Sequence, residues 1–590
     1  MGFIAPSPPP FDLDEWRAKP HLDRIHPLVA DWGVNGFGTP WGVYLLYIVK
    51  CAVYAIGGLW LIGATTPGLG GLGDLGDWWS QPIVFQKAVV LTLLWEVVGL
   101  GSGSFPLTLR FLPPIGGILY WLRPGTIRLP PFPDRVPLTE GSRRTLVDVA
   151  LYAAVLVAGG YLLISDGEAV AGLAAGRLDP AAIAVLLGAL ALLGLRDKVP
   201  FLAARAELYG MLLVVFLFAP GNLIVASQLV FVAIWLGAAA SKLNRHFPFV
   251  VSVMISNTPW NPSKAAKARL YRDHPRDMRP SVVAAFAAHS GTVIEFTLPL
   301  TLLFTDGGTL GTLAVIGMVI FHVHIFSTFP LAVPLEWNLF MILGILLLFG
   351  ENGGVALSTL SDPVLIAIMA AGLLVLPVLG NLYPDRISFL ISMRYYAGNW
   401  ATSQWLFRKD AGAEERLDEA LVKPAPVVVR QLERIYGPEM AEFLLNKGLA
   451  FRSMHSHGRA LNGLLPRAVD DVEAYHVREG ELIAGIALGY NFGDGHFHGE
   501  QLLSAVQERC RFAPGDLRVV MLESQPAHKT TQHYRIHDAA TGLVEEGLVE
   551  VADMVGRQPW LEGSWEFPVK VLGPAGVPFA AAPPTVTPAP

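Results

Sequence analysis

The stretch QLVFVAIWLGAAASKLNRHFPF, residues 228–249, sets the character of the chain. It is apolar from Leu229 to Leu236, narrows to small residues from Gly237 to Ser241, and then meets Lys242 and Arg245. Extended back to Leu223, the apolar part is close to the run of about 20 residues that a spanning helix needs. Small side chains at its end let a neighbouring helix approach closely. A basic residue directly after the run is the usual mark of a cytoplasmic flank.

Nine further segments read the same way, giving ten in all: 42–63, 83–103, 146–164, 181–195, 207–219, 223–241, 282–304, 311–329, 335–349 and 363–382. The pair 207–219 and 223–241 is broken at Pro220-Gly221, and the pair 311–329 and 335–349 at Pro330 and Pro334. Each break is a hairpin or a kink, so the count is eight to ten. The segment 106–122 carries too many breaks to span and reads as re-entrant or interfacial. Loop charge tests the count. The arm before Trp41 and loops 104–145, 196–206 and 242–281 hold 20 Lys and Arg, while the alternate loops hold one, Arg177. That asymmetry supports ten crossings with both termini cytoplasmic.

Composition agrees. Of 590 residues, 52% are hydrophobic and 16% charged, and the mean hydropathy is +0.45. Soluble proteins carry about 25% charged residues. An ordinary cytosolic enzyme, a disordered chain and a fibrous protein are excluded. Charged residues make up 12% of positions 1–384 and 22% of positions 385–590, which divides a membrane part from a soluble part. The reading is therefore a cytoplasmic arm (1–41), a helical membrane domain (42–384), an amphipathic linker with a soluble α+β domain (385–571) and a disordered tail (572–590). A net charge of −6 speaks against a nucleic-acid partner. The acidic, Pro-rich start is not a signal peptide, so the first span is expected to be an uncleaved anchor. Cys51 and Cys510 form neither a disulfide framework nor a zinc motif.

In the soluble part, the aromatic and basic stretch after Leu382 reads as lying on the membrane surface. Residues 414–465 read as helical, LIAGIALGY as a strand, EQLLSAVQERC as a helix, and LRVVMLES, QHYRIHD and GLVEEGLVEV as strands.

Ionisable groups inside a bilayer are costly, so each is a functional candidate. They are Lys50, Lys87, Glu96, Lys242, His289, Glu295, His322, His324 and Glu336. Lys87 is near a helix end and reads as snorkelling to the surface. His289 and Glu295 fall on nearly opposite faces of one helix, and so do His322 and His324. Lys242 has two physical readings. Apolar walls would lower its pKa and make it a base; alternatively it is a flank lysine obeying the charge rule. Lys242, His322 and Glu336 are the catalytic candidates. Glu96, His289, Glu295 and His324 are candidates for substrate binding or a proton path. In the tail, His496, His498, His533 and His537 are metal candidates, the last two on one face if their segment is a strand. Their spacing matches no zinc signature, and ordinary hydrogen-bonded histidines are the alternative. The GDG turn before His496 is a candidate anion cradle at a helix start, which Asp494 opposes. No GxSxG, P-loop, HExxH or CxxC occurs.

WLGAAASKL (235–243) followed by FHVHIFSTFPLAVPLEWNLFMI (321–342) resembles the membrane region of the vitamin K-dependent carboxylase superfamily, which includes the bacterial horizontally transferred transmembrane (HTTM) domains. The resemblance covers about residues 145–382. It implies that Lys242 stands where that superfamily has a base acting on a reduced quinone, and that Phe321-His322 stands at its Phe-His position. Gly237 is farther from the lysine than in the tight motif, the tryptophan after the lysine is missing, no lumenal β-rich region follows, and the lysine lies on the opposite side. As a whole, the Pro-rich start, the WLRPGTIRLPPFPDRVP loop and the His-rich tail resemble a bacterial family of uncharacterised transmembrane proteins. That implies the bacterial cytoplasmic membrane and no established activity. Three functions are expected: a membrane enzyme acting on a quinone or lipid, a transporter or lipid-handling protein gated by its soluble domain, and a membrane scaffold. The cofactor stays unknown, and the expected partners are the bilayer and a lipid or quinone ligand.

Overall fold

The computed structural model describes residues 2–101, 116–305, 307–328, 335–387, 394, 397–424, 426–490, 497–561 and 567–573. Every apolar segment read from the sequence contains a helix. An arm helix α1 (His21–Asn35) precedes α2 (Trp41–Ala64), α3 (Pro82–Val97), α4 (Leu146–Ile164), α5 (Pro180–Arg196), α6 (Ala206–Phe216) and α7 (Leu223–Ser241). After α8 (Phe247–Asn257) come α9 (Val282–Phe304), α10 (Gly308–Thr328), α11 (Leu335–Gly344, running on as a π-helical stretch to Glu351) and α12 (Pro363–Leu382). Among the described residues, six helices are long and apolar enough to cross a membrane: α2, α4, α7 with its preceding turn, α9, α10 and α12. The starts follow local chemistry. Thr145 and Asp148 make a capping box on α4, Asp179 caps α5 before Pro180, Ser281 caps α9 and Asp362 caps α12.

The loops sort to two ends of the bundle. At one end Leu178 N donates to Gln86 (2.9 Å), Arg177 to the Phe218 carbonyl (3.2 Å) and Ser361 N to Asn222 (3.2 Å). The hairpin β1 (Glu168–Val170) and β2 (Leu173–Arg177) lies at this end. At the other end the basic loops gather under the C-terminal domain. Tyr120 donates to the Ile486 carbonyl (2.6 Å), Gln501 to that of Pro130 (2.6 Å), and Arg143 pairs with Glu508 (3.1 Å). A second hairpin, β3 (Tyr271–Asp273) and β4 (Asp277–Pro280), stands here too.

The C-terminal domain is α+β. Its antiparallel sheet has the order β10-β9-β8-β7-β5-β6, built from β5 (Thr402–Arg408), β6 (Tyr475–Glu479), β7 (Leu517–Leu522), β8 (Thr531–Asp538), β9 (Gly542–Glu550) and β10 (Val569–Gly573). Its helices include α13 (Val428–Tyr436), α14 (Pro438–Met454), α15 (Ser456–Ala468), α16 (Gly480–Leu488) and α17 (Glu500–Cys510).

Two expectations are corrected. LIAGIALGY is not a strand: Gly480–Leu488 is helix α16, capped by the Glu479 side chain on Leu482 N and ended by Gly489 at φ +82°. An apolar run buried all round shows no alternation to tell the two forms apart. The stretch after Leu382 does not all lie on a membrane surface, because β5 within it is an inner strand with both faces buried. Part of the segment 106–122, the breaks at Pro330 and Pro334, His496 with its GDG turn, and the tail beyond Gly573 lie outside the described residues. The arm is not loose: α1 packs on α14 and α8, with Lys447 paired to Asp31 (3.2 Å) and Arg24 to Glu473 (3.1 Å).

Candidate functional site

Helix α7 delivers Trp235, Ala238 and Lys242 to one side of a cavity of about 300 Å³. Helix α9 supplies Glu295, α10 supplies Phe321, His322 and His324, and α11 supplies Trp337 and Asn338. The walls are otherwise apolar. Lys242 is buried and its ammonium is paired with Glu295. Glu295 is the fourteenth residue of α9, about 20 Å along that helix. The flank reading of Lys242 is therefore set aside: its head turns into the bundle rather than out to the surface. Phe247 and Phe321 face the ammonium at 5.3 and 5.8 Å, where ring faces attract a cation.

His322 is locked at both nitrogens. Trp235 Nε1 donates to His322 Nε2 (3.0 Å), and His322 Nδ1 meets Asn338 Oδ1 (2.7 Å). An indole N–H only donates, so Nε2 accepts and Nδ1–H donates to the amide oxygen. His324 also lines the cavity, from the exposed side of α10.

A second ionic group lies beside the first. Lys50 pairs with Glu336 (2.6 Å), which also accepts from Trp95 Nε1 (3.3 Å). Arg205 pairs with Glu96 (3.0 Å) and stacks over Trp337 at 4.9 Å. The four charges balance, and Trp337 is shared with the cavity. So Glu336 and Glu96 stand behind the cavity wall, not on it. Lys87 does not snorkel: it is fully buried and donates to Thr65 O (3.1 Å) and Thr66 Oγ1 (2.7 Å), capping the loop after α2. His289 lies away from the cavity, on the exposed face of α9.

The tail histidines are dispersed over the sheet domain. His498 Nδ1 meets Ser403 Oγ (2.7 Å), His533 meets Glu546 (3.1 Å) and His537 meets Glu500 (3.2 Å). The last two do share a face of β8, but Arg535 stands between them and pairs with Glu500 (2.6 Å). Burial would raise the Glu500 carboxyl, and His537 and Arg535 outweigh that and hold it below its usual range. A fixed guanidinium there opposes a bound cation. Among the described residues no three His, Cys, Asp or Glu converge as metal ligands.

One cluster has no counterpart in the reading of the sequence. His246 Nδ1 meets Ser456 Oγ (2.7 Å) and its Nε2 meets Gln525 (3.0 Å), while Ser456 Oγ also reaches His457 Nδ1 (3.2 Å). Burial pushes His246 down to about 4 and His457 well below its ordinary value. Both are neutral bridges that tie the start of α8 to the C-terminal domain. The sequence likewise does not single out Trp235, Asn338 or Arg205 as site residues. Asn338 had a signal, a polar residue two positions after Glu336 in an apolar run; Trp235 had none.

A family model described as a transmembrane protein of unknown function (DUF3556) matches residues 1–572, and the chain belongs to that family. No curated protein and no solved structure matches it.

Proposed function

We propose that this transmembrane protein holds a lipid-soluble molecule in the cavity between α7, α9, α10 and α11. Its polar head rests against Lys242 and Glu295. The observation that carries the reading is convergence: Lys242, Glu295 and His322, far apart in sequence, meet in one otherwise apolar cavity. Charged groups inside a bundle are costly and are kept where they act, and apolar cavities with a few convergent polar groups are the usual form of a ligand site.

With both nitrogens of His322 engaged, the proton step falls to the Lys242–Glu295 pair. In an apolar cavity the charged pair and the neutral pair differ less in free energy than in water. A hydroxyl or carbonyl head that bonds better to one form shifts the proton. A quinol, quinone or hydroxyl-bearing lipid has such a head, and in this reading the protein is a membrane enzyme with the pair as its base. The resemblance at Lys242 and Phe321-His322 favours the quinone. Arg205, paired with Glu96, positions Trp337, and Glu336 stands behind the cavity wall with Lys50. The excess of basic residues on the arm and on the loops under the C-terminal domain supports a cytoplasmic placement of both termini in a bacterial cytoplasmic membrane.

The test is organic extraction of the purified full chain followed by mass spectrometry. A co-purifying quinone or lipid that is lost from the Lys242→Met, Glu295→Leu double variant, which removes both charges together, supports the reading; equal recovery from parent and variant rejects it. The second ionic group, Lys50–Glu336 with Arg205–Glu96, favours a second reading as a lipid-handling protein or transporter, with these residues forming a proton path. Recovery of the molecule chemically unchanged after turnover in vesicles distinguishes that case from an enzyme.

A further inference from the structure

Outside the cavity, at the basic end of the bundle, lies a second hollow of about 530 Å³ between the end of α7, the β3–β4 hairpin and the first turns of α9. Its rim carries Arg245, Arg272, Arg279 and His289. Arg279 is committed to Asp277. Arg245 and Arg272 are exposed and make no hydrogen bond or ion pair among the described residues. The hollow thus presents two guanidinium groups outside any hydrogen bond or ion pair among the described residues, Arg272 within electrostatic reach of the Asp277 carboxylate, and an imidazole.

Its surroundings are apolar. Val282, Phe286, His289 and Val293 fall at i, i+4, i+7 and i+11 of α9, which is one stripe of the helix. Val282, Phe286 and Val293 are 85%, 75% and 59% exposed, and Leu243 beside Arg245 is 66% exposed. His289 is the polar interruption of a stripe that otherwise suits acyl chains. It lies seven residues into α9, about 10 Å along it. A polar ring held there among exposed apolar side chains is costly in hydrocarbon but not at the level of lipid headgroups.

The geometry points to a binding site for the phosphate headgroup of an anionic phospholipid, with Arg245 and Arg272 on the phosphate, His289 beside it, and the acyl chains along the Val282–Phe286–Val293 stripe. Guanidinium forks match phosphate oxygens in pairs, and basic pockets between membrane helices are where anionic headgroups lodge. The site is separate from the Lys242 cavity and stands whether or not that cavity binds a quinone or lipid.

The test titrates the full chain in detergent with phosphatidylglycerol or phosphatidylcholine and counts bound lipid by native mass spectrometry. Phosphatidylglycerol saturates one site in preference to phosphatidylcholine, and Arg245→Gln with Arg272→Gln weakens it by about 30-fold. Arg272→Glu alone, at an exposed hairpin position, weakens it as well. Lys264→Gln, an exposed lysine on the same end but outside the hollow, leaves it unchanged. Equal affinity in parent and double variant overturns the site. So does an equal loss in Lys264→Gln, which would mean general attraction, or displacement of the lipid by millimolar inorganic phosphate, which would mean a free-anion site.

Discussion

Lys242 and Glu295 show how a buried charge is tolerated. Each is almost removed from solvent, and each is the other's compensation. Removing one partner strands the other, at a cost of about 3–5 kcal/mol, whereas replacing both with apolar groups of similar size is often close to neutral. Lys242→Met and Glu295→Leu should each lower the thermal midpoint in detergent sharply, and the double variant should recover much of the loss. Additive losses would show that the pair is not coupled. The same logic applies to Glu96 and Arg205: Glu96→Gln leaves the buried guanidinium over Trp337 with a weaker partner, and Arg205→Met added to it should restore stability. At this scale the sequence was legible where charge met hydrocarbon, because that coincidence is rare. Lys242, Glu295, Glu96 and Glu336 stood out for that reason. Trp235, which fixes the His322 tautomer, looks like any apolar residue until its N–H is seen to have a partner.

Helix α8 is the element that joins the membrane cavity to the C-terminal domain. Phe247, Val251, Met254 and Ile255 line the cavity, and His246 just before the helix is held by Ser456 and Gln525. His457, also neutral, and the exposed Arg245 are the titratable and charged neighbours of that ring. Unfolded, His246 titrates near 6.5; folded, burial holds it at about 4. The unfolded chain therefore binds the proton first. Stability from this group is whole above about pH 6.5 and is lost as the pH falls towards 4, by about 3 kcal/mol for His246 alone. Thermal unfolding at pH 7.5, 6 and 5 should show about 2 kcal/mol of that loss by pH 5, and His246→Gln should make the slope shallower; an unchanged slope in the variant would contradict the assignment. Helix α8 was hidden in sequence because NRHFPF begins with polar residues and Pro248, which read as loop. Helix α16 looks like a strand in sequence for the opposite reason: its uniformly apolar run has no period. By contrast β8 alternates and was legible from its residues alone.

For the whole molecule, the arm, the basic loops and the C-terminal domain form one layer at one end of the helical bundle. Trp16 and Trp32 of the arm are buried against Phe443 and Phe451 of α14. A C-terminal fragment beginning near residue 397 should therefore aggregate when made alone and become soluble when residues 2–37 are supplied; a soluble fragment would show that the arm is dispensable. Sidedness is testable by impermeant thiol labelling in a variant without Cys51 and Cys510: Arg276→Cys in the β3–β4 hairpin should share the side of the C-terminus, and Gly172→Cys in the β1–β2 hairpin should label from the other. Loop charge made this arrangement legible, since the described parts of the basic loops land in the same layer. The docking of that layer was not legible, because it rests on bonds to backbone carbonyls such as Tyr120 to Ile486 and Gln501 to Pro130, which no residue pattern announces. Whether the cavity holds a molecule is decided by electron cryomicroscopy of the protein taken from its own membrane into nanodiscs: an elongated non-protein density should lie among Trp235, Phe321 and Trp337 with its head at Lys242 and Glu295. A cavity filled only by side chains or scattered water would contradict it.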